Sequence, residues 1–368
     1  MANKEVLVGD AKKSPTSTTV SFEKTVSFEK TVPSVQAVPF EQTEPFEETV
    51  APHPHDDIEL LPGLPRRGRT TGLGDRLFRL LTGGSAAFVV VLVVLVAVFL
   101  LARSVPSIRA DKVNFLTSTQ WAPTAGNLRF GVAALLYTTV VISLVAMVIA
   151  VPIAVGIALF ITHYAPRRLA RPTAHAIDLL AAIPSIIYGI WGARVLAPQL
   201  TGVQDALYHL GGFGLFKDKN VPTGSLFDGG VVLAVMILPI ITAISRDVYA
   251  RTPRQNIEAA WALGATKWEM IRLAVLPYGR AGVVSGAMLG LGRALGETLA
   301  VYLILSKVSV FSPSLFSGGE TFASKIANNS SEFNNPASTG AYIAAGLVLF
   351  VLTFVVNAAA RWIVRERT

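Results

Sequence analysis

Between two long apolar segments lies the stretch Glu258-Ala259-Ala260-Trp261-Ala262-Leu263-Gly264, followed twelve residues later by Leu276-Pro277. Basic residues are frequent around it, at Arg251, Arg254, Lys267, Arg272 and Arg280. In membrane proteins such residues collect in the loops near span ends and not within the spans. The glutamate, the small residues and the glycine therefore predict a short helix and a turn that project from the bilayer between two membrane helices.

Composition places most of the chain in a membrane. Of its 368 residues, 52% are hydrophobic and only 15% are charged, and the mean hydropathy is +0.52. A soluble domain of this length carries more charge. The formal net charge of +8 is explained by basic cytoplasmic loops and does not indicate a nucleic-acid partner. The absence of cysteine excludes a disulfide framework and a Cys-ligated metal.

Six apolar segments are candidate membrane spans, since a helix needs about 20 residues to cross the hydrocarbon core; the fourth is shorter than that. They cover approximately residues 85–102, 132–161, 174–197, 230–244, 281–305 and 342–363. The predicted fold class is an all-α membrane protein with six transmembrane helices, in a membrane domain of residues 71–368.

Orientation follows from the basic residues. They cluster before span one, between spans two and three, around the projecting stretch and after span six. All four places fall on one side of a six-span path, which predicts cytoplasmic termini and a cytoplasmic projecting segment. The loops near 104–130, 199–228 and 307–339 then face outward.

Residues 1–70 differ in kind. The hexad Val20–Thr25 recurs identically as Val26–Thr31, and looser copies follow. A segment rich in Pro, Glu, Ser and Thr cannot bury enough apolar surface to order itself. We expect a disordered cytoplasmic tail, which is either a dispensable solvated segment or a site of phosphorylation or partner contact.

Span five carries the most informative polar residues. Gly282, Gly286 and Gly290 are spaced by four, so they lie on one helix face and let another helix approach closely. At about 3.6 residues per turn, Arg293 and Glu297 project from that same face. The pair is either a structural ion pair or a functional site in which Arg293 binds an oxyanion such as phosphate. In the second case Glu297 holds Arg293 in place while no anion is bound, or accepts a proton carried by a hydrogen phosphate.

Hydroxyl groups and prolines in other spans allow two readings. Ser185, Tyr188, Thr138 and Thr139 could line a polar path, or their hydroxyls could bond back to their own helices. Pro184 and Pro239 predict kinks, which serve either packing or gating.

The projecting stretch resembles the EAA loop of binding-protein-dependent ABC importers. The matching positions, within about 251–279, are Glu258, Ala259, Ala260, Gly264, Leu276 and Pro277, and Ala274 stands where the family has Ile. Three segments resemble signatures of phosphate-importer permeases, the PstC type more than the PstA type: Asp178–Gly189, Met236–Thr242 and Gly290–Thr298. The likeness covers roughly residues 75–368.

This resemblance implies the fold of a type I ABC importer permease for inorganic phosphate in the cell membrane. The implied partners are a second permease of the PstA type, two ATPase subunits of the PstB type, a phosphate-binding protein of the PstS type and membrane lipids. ATP and Mg belong to the ATPase subunits, because the chain contains no Walker sequence, G-x-x-x-x-G-K-[ST]. We therefore expect no catalytic residue, metal or cofactor on this chain.

Two other functions are compatible with parts of the sequence. In an ion-coupled secondary transporter, Glu297 would relay protons, but such a protein needs no EAA loop. A signalling or assembly scaffold would instead act through the N-terminal tail.

Overall fold

The computed structural model describes residues 73–124, 126–210, 216, 221–308, 310–333 and 335–365. The predicted tail and its hexad repeats lie outside the described residues. The chain divides into Met1–Thr70 and Thr71–Thr368, and all the described residues belong to the second unit.

The described part of the chain is built mainly of helices, as the sequence predicted. Their bounds are α1 (Leu73–Ala110), α2 (Ala133–Leu159), α3 (Arg167–Ala181), α4 (Ser185–Trp191), α5 (Ala197–Leu210), α6 (Leu226–Ala250), α7 (Arg254–Ala262), α8 (Lys267–Met270), α9 (Leu276–Gly296), α10 (Leu299–Ile304), α11 (Phe322–Asn328) and α12 (Pro336–Arg365). Wide π-helical turns cover Phe160–Tyr164, Gly192–Leu196 and Ile271–Val275, and a 3-10 turn covers Ser330–Glu332.

One β-hairpin is the exception to the helical class. Strands β1 (Trp121–Thr124) and β2 (Asn127–Phe130) pair antiparallel, with Trp121 opposite Phe130. The turn between them contains Gly126 at φ 80°, a left-handed conformation that glycine adopts without a Cβ clash. The hairpin lies in the predicted outward loop 104–130.

Four helical segments are long and apolar enough to cross a membrane: Gly74–Ala110, Ala133–Tyr164, Leu226–Ala250 and Pro336–Trp362. A fifth crossing is present if two helical segments joined at a 93° bend, Arg167–Ala181 and Ser185–His209, count as one span. These five correspond to predicted spans one, two, four, six and three. The chain is therefore a multi-pass membrane protein.

Span three, predicted for 174–197 with a kink at Pro184, is bent by 93° between its two helices. Helix α3 ends at Ala181, and Pro184, with φ −58° and ψ 138°, precedes α4. Proline lacks an N–H and disfavours helical backbone in the residue before it. The bend follows from these two restrictions.

The predicted fifth span, 281–305, is also interrupted. Helix α9 ends at Gly296, and Glu297 has extended backbone with φ −67° and ψ 126°. The short helix α10 then begins at Leu299. Within the described residues this segment does not meet the length and hydropathy of a membrane span by itself.

Helix α6 forms the centre of the packing. A capping box starts it, in which Ser225 accepts from the Asp228 backbone N–H and the Asp228 carboxylate accepts from the Ser225 N–H. On one side it packs against α2, which buries four alanines at intervals of four, namely Ala146, Ala150, Ala154 and Ala158. Small residues at this spacing let two helix backbones approach closely.

On its other side α6 packs against the glycines of α9. A Cβ added to Gly282, Gly286 or Gly290 would lie 2.3, 3.1 or 2.9 Å from the nearest side-chain atom of α6. The interface therefore has little room for larger residues, least of all at Gly282.

Candidate functional site

The stretch that resembles an EAA loop folds as a helix, a turn and a second helix. Helix α7 ends in a turn at Gly264, whose φ is 78° and whose N–H donates to the Trp261 carbonyl oxygen at 2.9 Å. The N–H of Ala265 reaches back to the Ala260 carbonyl oxygen at 3.1 Å. These bonds satisfy carbonyls that the end of a helix leaves unpaired.

The residues that match the EAA pattern differ in their exposure to solvent. Glu258 and Ala259 are exposed, whereas Ala260 is only 7% exposed. Ala260 packs in a small core with Tyr249, Met270, Ile271 and Val275, beside Leu276. One face of α7 is thus held by the protein, and the opposite face is free for a partner.

Large apolar side chains extend from the same region. Trp261, Leu263 and Trp268 are 54%, 87% and 55% exposed. Single exposed apolar residues are ordinary, but adjacent large ones mark an interaction surface. We call the segment Arg254–Met270 the docking segment.

The docking segment continues into α9 without a loop. Thr266 caps α8, and its Oγ1 and backbone N–H both donate to the Glu269 carboxylate, at 2.8 and 2.7 Å. These hydrogen bonds hold the pKa of Glu269 below its usual value. The π-helical turn Ile271–Val275 follows, and α9 begins with Leu276 and Pro277. Proline suits the first helical positions because no helical N–H partner is needed there.

A large cavity, which we call the central cavity, lies among α6, α9 and α12. Its volume is about 1270 Å³. The residues that line it are Ile240, Ile244, Ala281, Val284, Ser285, Met288, Leu289, Gly292, Arg293, Asn357, Ala360 and Arg361. These described lining residues include two arginines and no carboxylate, so the cavity is suited to an anion.

Arg293 is half-buried, and its Nε is buried without a hydrogen-bond partner among the described residues. An unpaired buried donor on a charged group is costly. A bound anion would satisfy it.

Glu297 does not pair with Arg293, contrary to what a continuous helix would allow. Its side chain is one of the buried ones, and its Oε1 accepts from the Ala300 N–H at 3.2 Å. Glu297 therefore caps α10, and neither a salt bridge nor a hydrogen bond joins it to Arg293 within the described chain. It is also not among the described residues that line the central cavity.

Tyr188 lies within electrostatic range of Arg293, but none of the predicted hydroxyl residues is among the described residues that line the central cavity. The Tyr188 hydroxyl donates to the Leu180 carbonyl oxygen at 2.8 Å and so bridges the bend between α3 and α4. Ser185 starts α4 just after Pro184. Neither residue is among the described lining of the central cavity.

The two threonines of α2 face another region. Thr139 donates to the Leu135 carbonyl oxygen at 2.7 Å and accepts from the Phe322 N–H at 3.2 Å. It thereby joins α2 to the start of α11. Thr138 lines a separate cavity of about 580 Å³ beside the hairpin. Of the six predicted path residues, only Arg293 lines the central cavity.

Sequence reasoning missed Ser285, Asn357 and Arg361, which share the central cavity with Arg293. No local pattern marks them, because their proximity arises from the packing of α9 against α12. As for metals, no group of three or more His, Asp or Glu side chains in the described ranges is arranged to hold an ion.

Comparison with known families identifies the architecture. Residues 150–368 match the model of a family described as "Binding-protein-dependent transport system inner membrane component". The chain belongs to this family. The matched range contains the docking segment, α9 and the central cavity, so these features lie within the part of the chain that makes it a binding-protein-dependent transport component.

Relatives of this transport component include three phosphate transport system permease proteins. Phosphate transport system permease protein PstC 2 of Mycobacterium tuberculosis is 57% identical, with 78% of this chain and 91% of that protein covered. PstC of Mycobacterium leprae is 55% identical over 72% of this chain and 85% of its own. PstC of Mesorhizobium japonicum is 42% identical over 80% and 91%. The family resemblance read from the sequence motifs is confirmed.

Proposed function

We propose that this chain is the permease subunit of an ATP-driven importer of inorganic phosphate. The observation that carries the proposal is Arg293, which presents its guanidinium to a central cavity without a carboxylate among the described lining residues. An arginine within a bilayer costs about 2.5–3.5 kcal/mol even on the more lenient scale, so an uncompensated one calls for a functional reason. The names of the PstC relatives support phosphate as the anion.

The guanidinium suits phosphate for geometric reasons. Its planar array of N–H donors binds two oxygens of one oxyanion at once. The Arg293 Nε, which has no protein partner among the described residues, can take part in such a bidentate contact. Because Glu297 is occupied in capping α10, the guanidinium is not neutralised by that carboxylate.

The energy of ATP hydrolysis reaches the central cavity through the docking segment. The exposed side of α7, with Glu258, Ala259 and the neighbouring apolar residues, binds an ATPase subunit of the PstB type, which carries ATP and Mg. A second permease of the PstA type completes the path, and a PstS-type protein delivers phosphate from outside. Both termini and the docking segment then face the cytoplasm, as the distribution of basic residues indicates. Rigid-body movement of packed helices suffices for alternating access.

The test is phosphate uptake by the assembled complex in proteoliposomes loaded with ATP. Arg293→Met should lower uptake at least about 100-fold, since the lost hydrogen bonds to a charged group are worth roughly 3 kcal/mol together. Arg293→Lys should retain partial activity, because it keeps the charge and loses the planar donor array. Arg280→Met is a matched control, since Arg280 is an exposed residue of the same helix and is not among the lining residues.

Two outcomes would contradict the proposal. Near wild-type uptake by the double variant Arg293→Met with Glu297→Gln would return both residues to a structural role. Uptake that persists with a hydrolysis-deficient ATPase subunit would favour an ion-coupled secondary transporter instead. Glutamine at position 297 keeps the oxygen that accepts from Ala300, so α10 remains capped in that variant.

A further inference from the structure

We infer that Arg361 and Asn357 form a second oxyanion-binding position in the central cavity, at the end opposite Arg293. This inference rests on the proposed function, because it concerns the same path. Its ligand class is a phosphate oxyanion, which is either free phosphate on its way through the cavity or the phosphate of a lipid headgroup.

Helix α12 turns one face toward the cavity. Asn357, Ala360 and Arg361 line it, and residues three and four apart lie on the same side of a helix. The Arg361 Nε donates to the Asn357 carbonyl oxygen at 3.4 Å. This contact keeps the arginine stem along the helix and leaves its terminal N–H groups available to a ligand.

The two arginines lie at opposite ends of the cavity. Arg293 is three residues from the end of α9, at Gly296, and Arg361 is four residues from the end of α12, at Arg365. Helix α9 starts beside Tyr249 near the end of α6, where the end of α2 also packs. Ala345 in the first half of α12 packs instead beside Val132 at the start of α2, so α9 and α12 run in opposite directions. The lining residues of α9 extend from Ala281 to Arg293, a length of about 18 Å at 1.5 Å per residue.

The wall between these ends offers an anion no competing charge. Ser285 adds a hydroxyl. Apolar side chains line the rest of this wall, at Ile240, Ile244, Val284, Met288 and Leu289. Conduction needs sites strong enough to be entered and weak enough to be left. Two separated arginines meet this requirement better than one, since an ion released by Arg293 is received by Arg361.

The end of α12 also explains why two phosphate sources have to be considered. Arg361 is exposed and lies at the last turns of a membrane helix, which places it near lipid headgroups. A long basic side chain in this position reaches the interface readily. Free phosphate and a headgroup phosphodiester present the same two oxygens to a guanidinium.

The experiment measures uptake by the full complex with Arg361→Gln in two kinds of proteoliposome, one of digalactosyldiacylglycerol, a lipid without phosphate, and one that also contains phosphatidylglycerol. A defect of about tenfold relative to wild type, the factor for one hydrogen bond to a charged group, is expected. If it occurs in both vesicles, the ligand is free phosphate. If it occurs only with the anionic lipid, the ligand is a headgroup. Arg280→Gln is the matched control and should transport normally.

Wild-type uptake by assembled Arg361→Gln in both vesicles would overturn the inference. If that variant does not assemble, Arg361→Met retains the apolar stem and is judged by the same criterion. Failure here is distinguishable from failure of the proposed function. A neutral Arg361→Gln together with an inactive Arg293→Met removes only the second position, whereas an active Arg293→Met removes the path itself.

Discussion

Replacing Gly264 by aspartate is expected to disconnect ATP hydrolysis from transport. Gly264 ends α7 at φ 78°, in the middle of the docking segment. A Cβ added there meets no atom within 4 Å, so the substitution causes no steric clash within the chain. Its effect on a docked partner is different, because the change adds a carboxylate to a segment that already exposes Glu258.

The cost to the fold can be bounded from this geometry. A residue with a Cβ in left-handed backbone loses about 1–2 kcal/mol relative to glycine, and Asp and Asn lose the least because their side chains bond locally. A domain stability of about 5–15 kcal/mol tolerates such a loss. The complex should therefore assemble, and the damage should appear in coupling.

The assay compares Gly264→Asp with Gly264→Asn, which has nearly the same shape and backbone preference and no charge. ATP hydrolysis and phosphate uptake are measured on the same purified complex in proteoliposomes. We expect the asparagine variant to transport phosphate. The aspartate variant should lose phosphate uptake while ATP hydrolysis is no longer coupled to it. Phosphate uptake near the wild-type rate in both variants would refute a charge-sensitive docking surface. Equal loss in both would assign the effect to the backbone.

Two further expectations concern the packing and the docking segment. Gly282→Ala, whose Cβ would lie 2.3 Å from an α6 side chain, should lower the stability of the fold by about 1–3 kcal/mol. The loss should be smaller for Gly286→Ala, where the nearest side-chain atom is 3.1 Å away. Thermal unfolding of the detergent-solubilised protein measures both, and Gly292→Ala, with no neighbour within 4 Å, is the control that should keep its stability. Glu269 should titrate below the ordinary glutamate pKa because Thr266 donates to its carboxylate, so its stabilising effect is present at neutral pH and is lost as the pH falls through the folded-state pKa. A carboxyl NMR titration tests this, and Thr266→Val, which removes the hydroxyl and keeps the backbone N–H, should bring the pKa only part of the way back to its usual value.

Apolar runs in the sequence were enough to locate most of the long helices, because about 20 apolar residues leave few alternatives to a membrane crossing. Their ends were placed too narrowly. Helix α6 begins at Leu226 and not near Gly230, since a polar capping box extends it beyond the apolar core. Such caps resemble loop sequence until the backbone is known.

Pro184 predicted a kink in span three but not that a helix ends there, and the interruption of span five was harder still to foresee. Both segments are apolar enough to be read as continuous, yet Pro184 ends one helix and Glu297 begins another by capping α10. The residues of the central cavity were predicted only in part, because some of them meet only through the packing of helices that are distant in sequence. Arg293 was found from its rarity in a membrane segment, whereas Arg361 reaches the central cavity only through the contact of α9 with α12.

The unbroken run from α8 through the π-helical turn into α9 acts as a lever. If it pivots where Gly279 meets the Tyr249 ring, the arm to Arg293 is fourteen residues, or about 21 Å. A tilt of about 10° then displaces the guanidinium by about 4 Å, which is more than the length of a hydrogen bond. A modest displacement of the docking segment would therefore move Arg293 within the central cavity while every helix keeps its own hydrogen bonds.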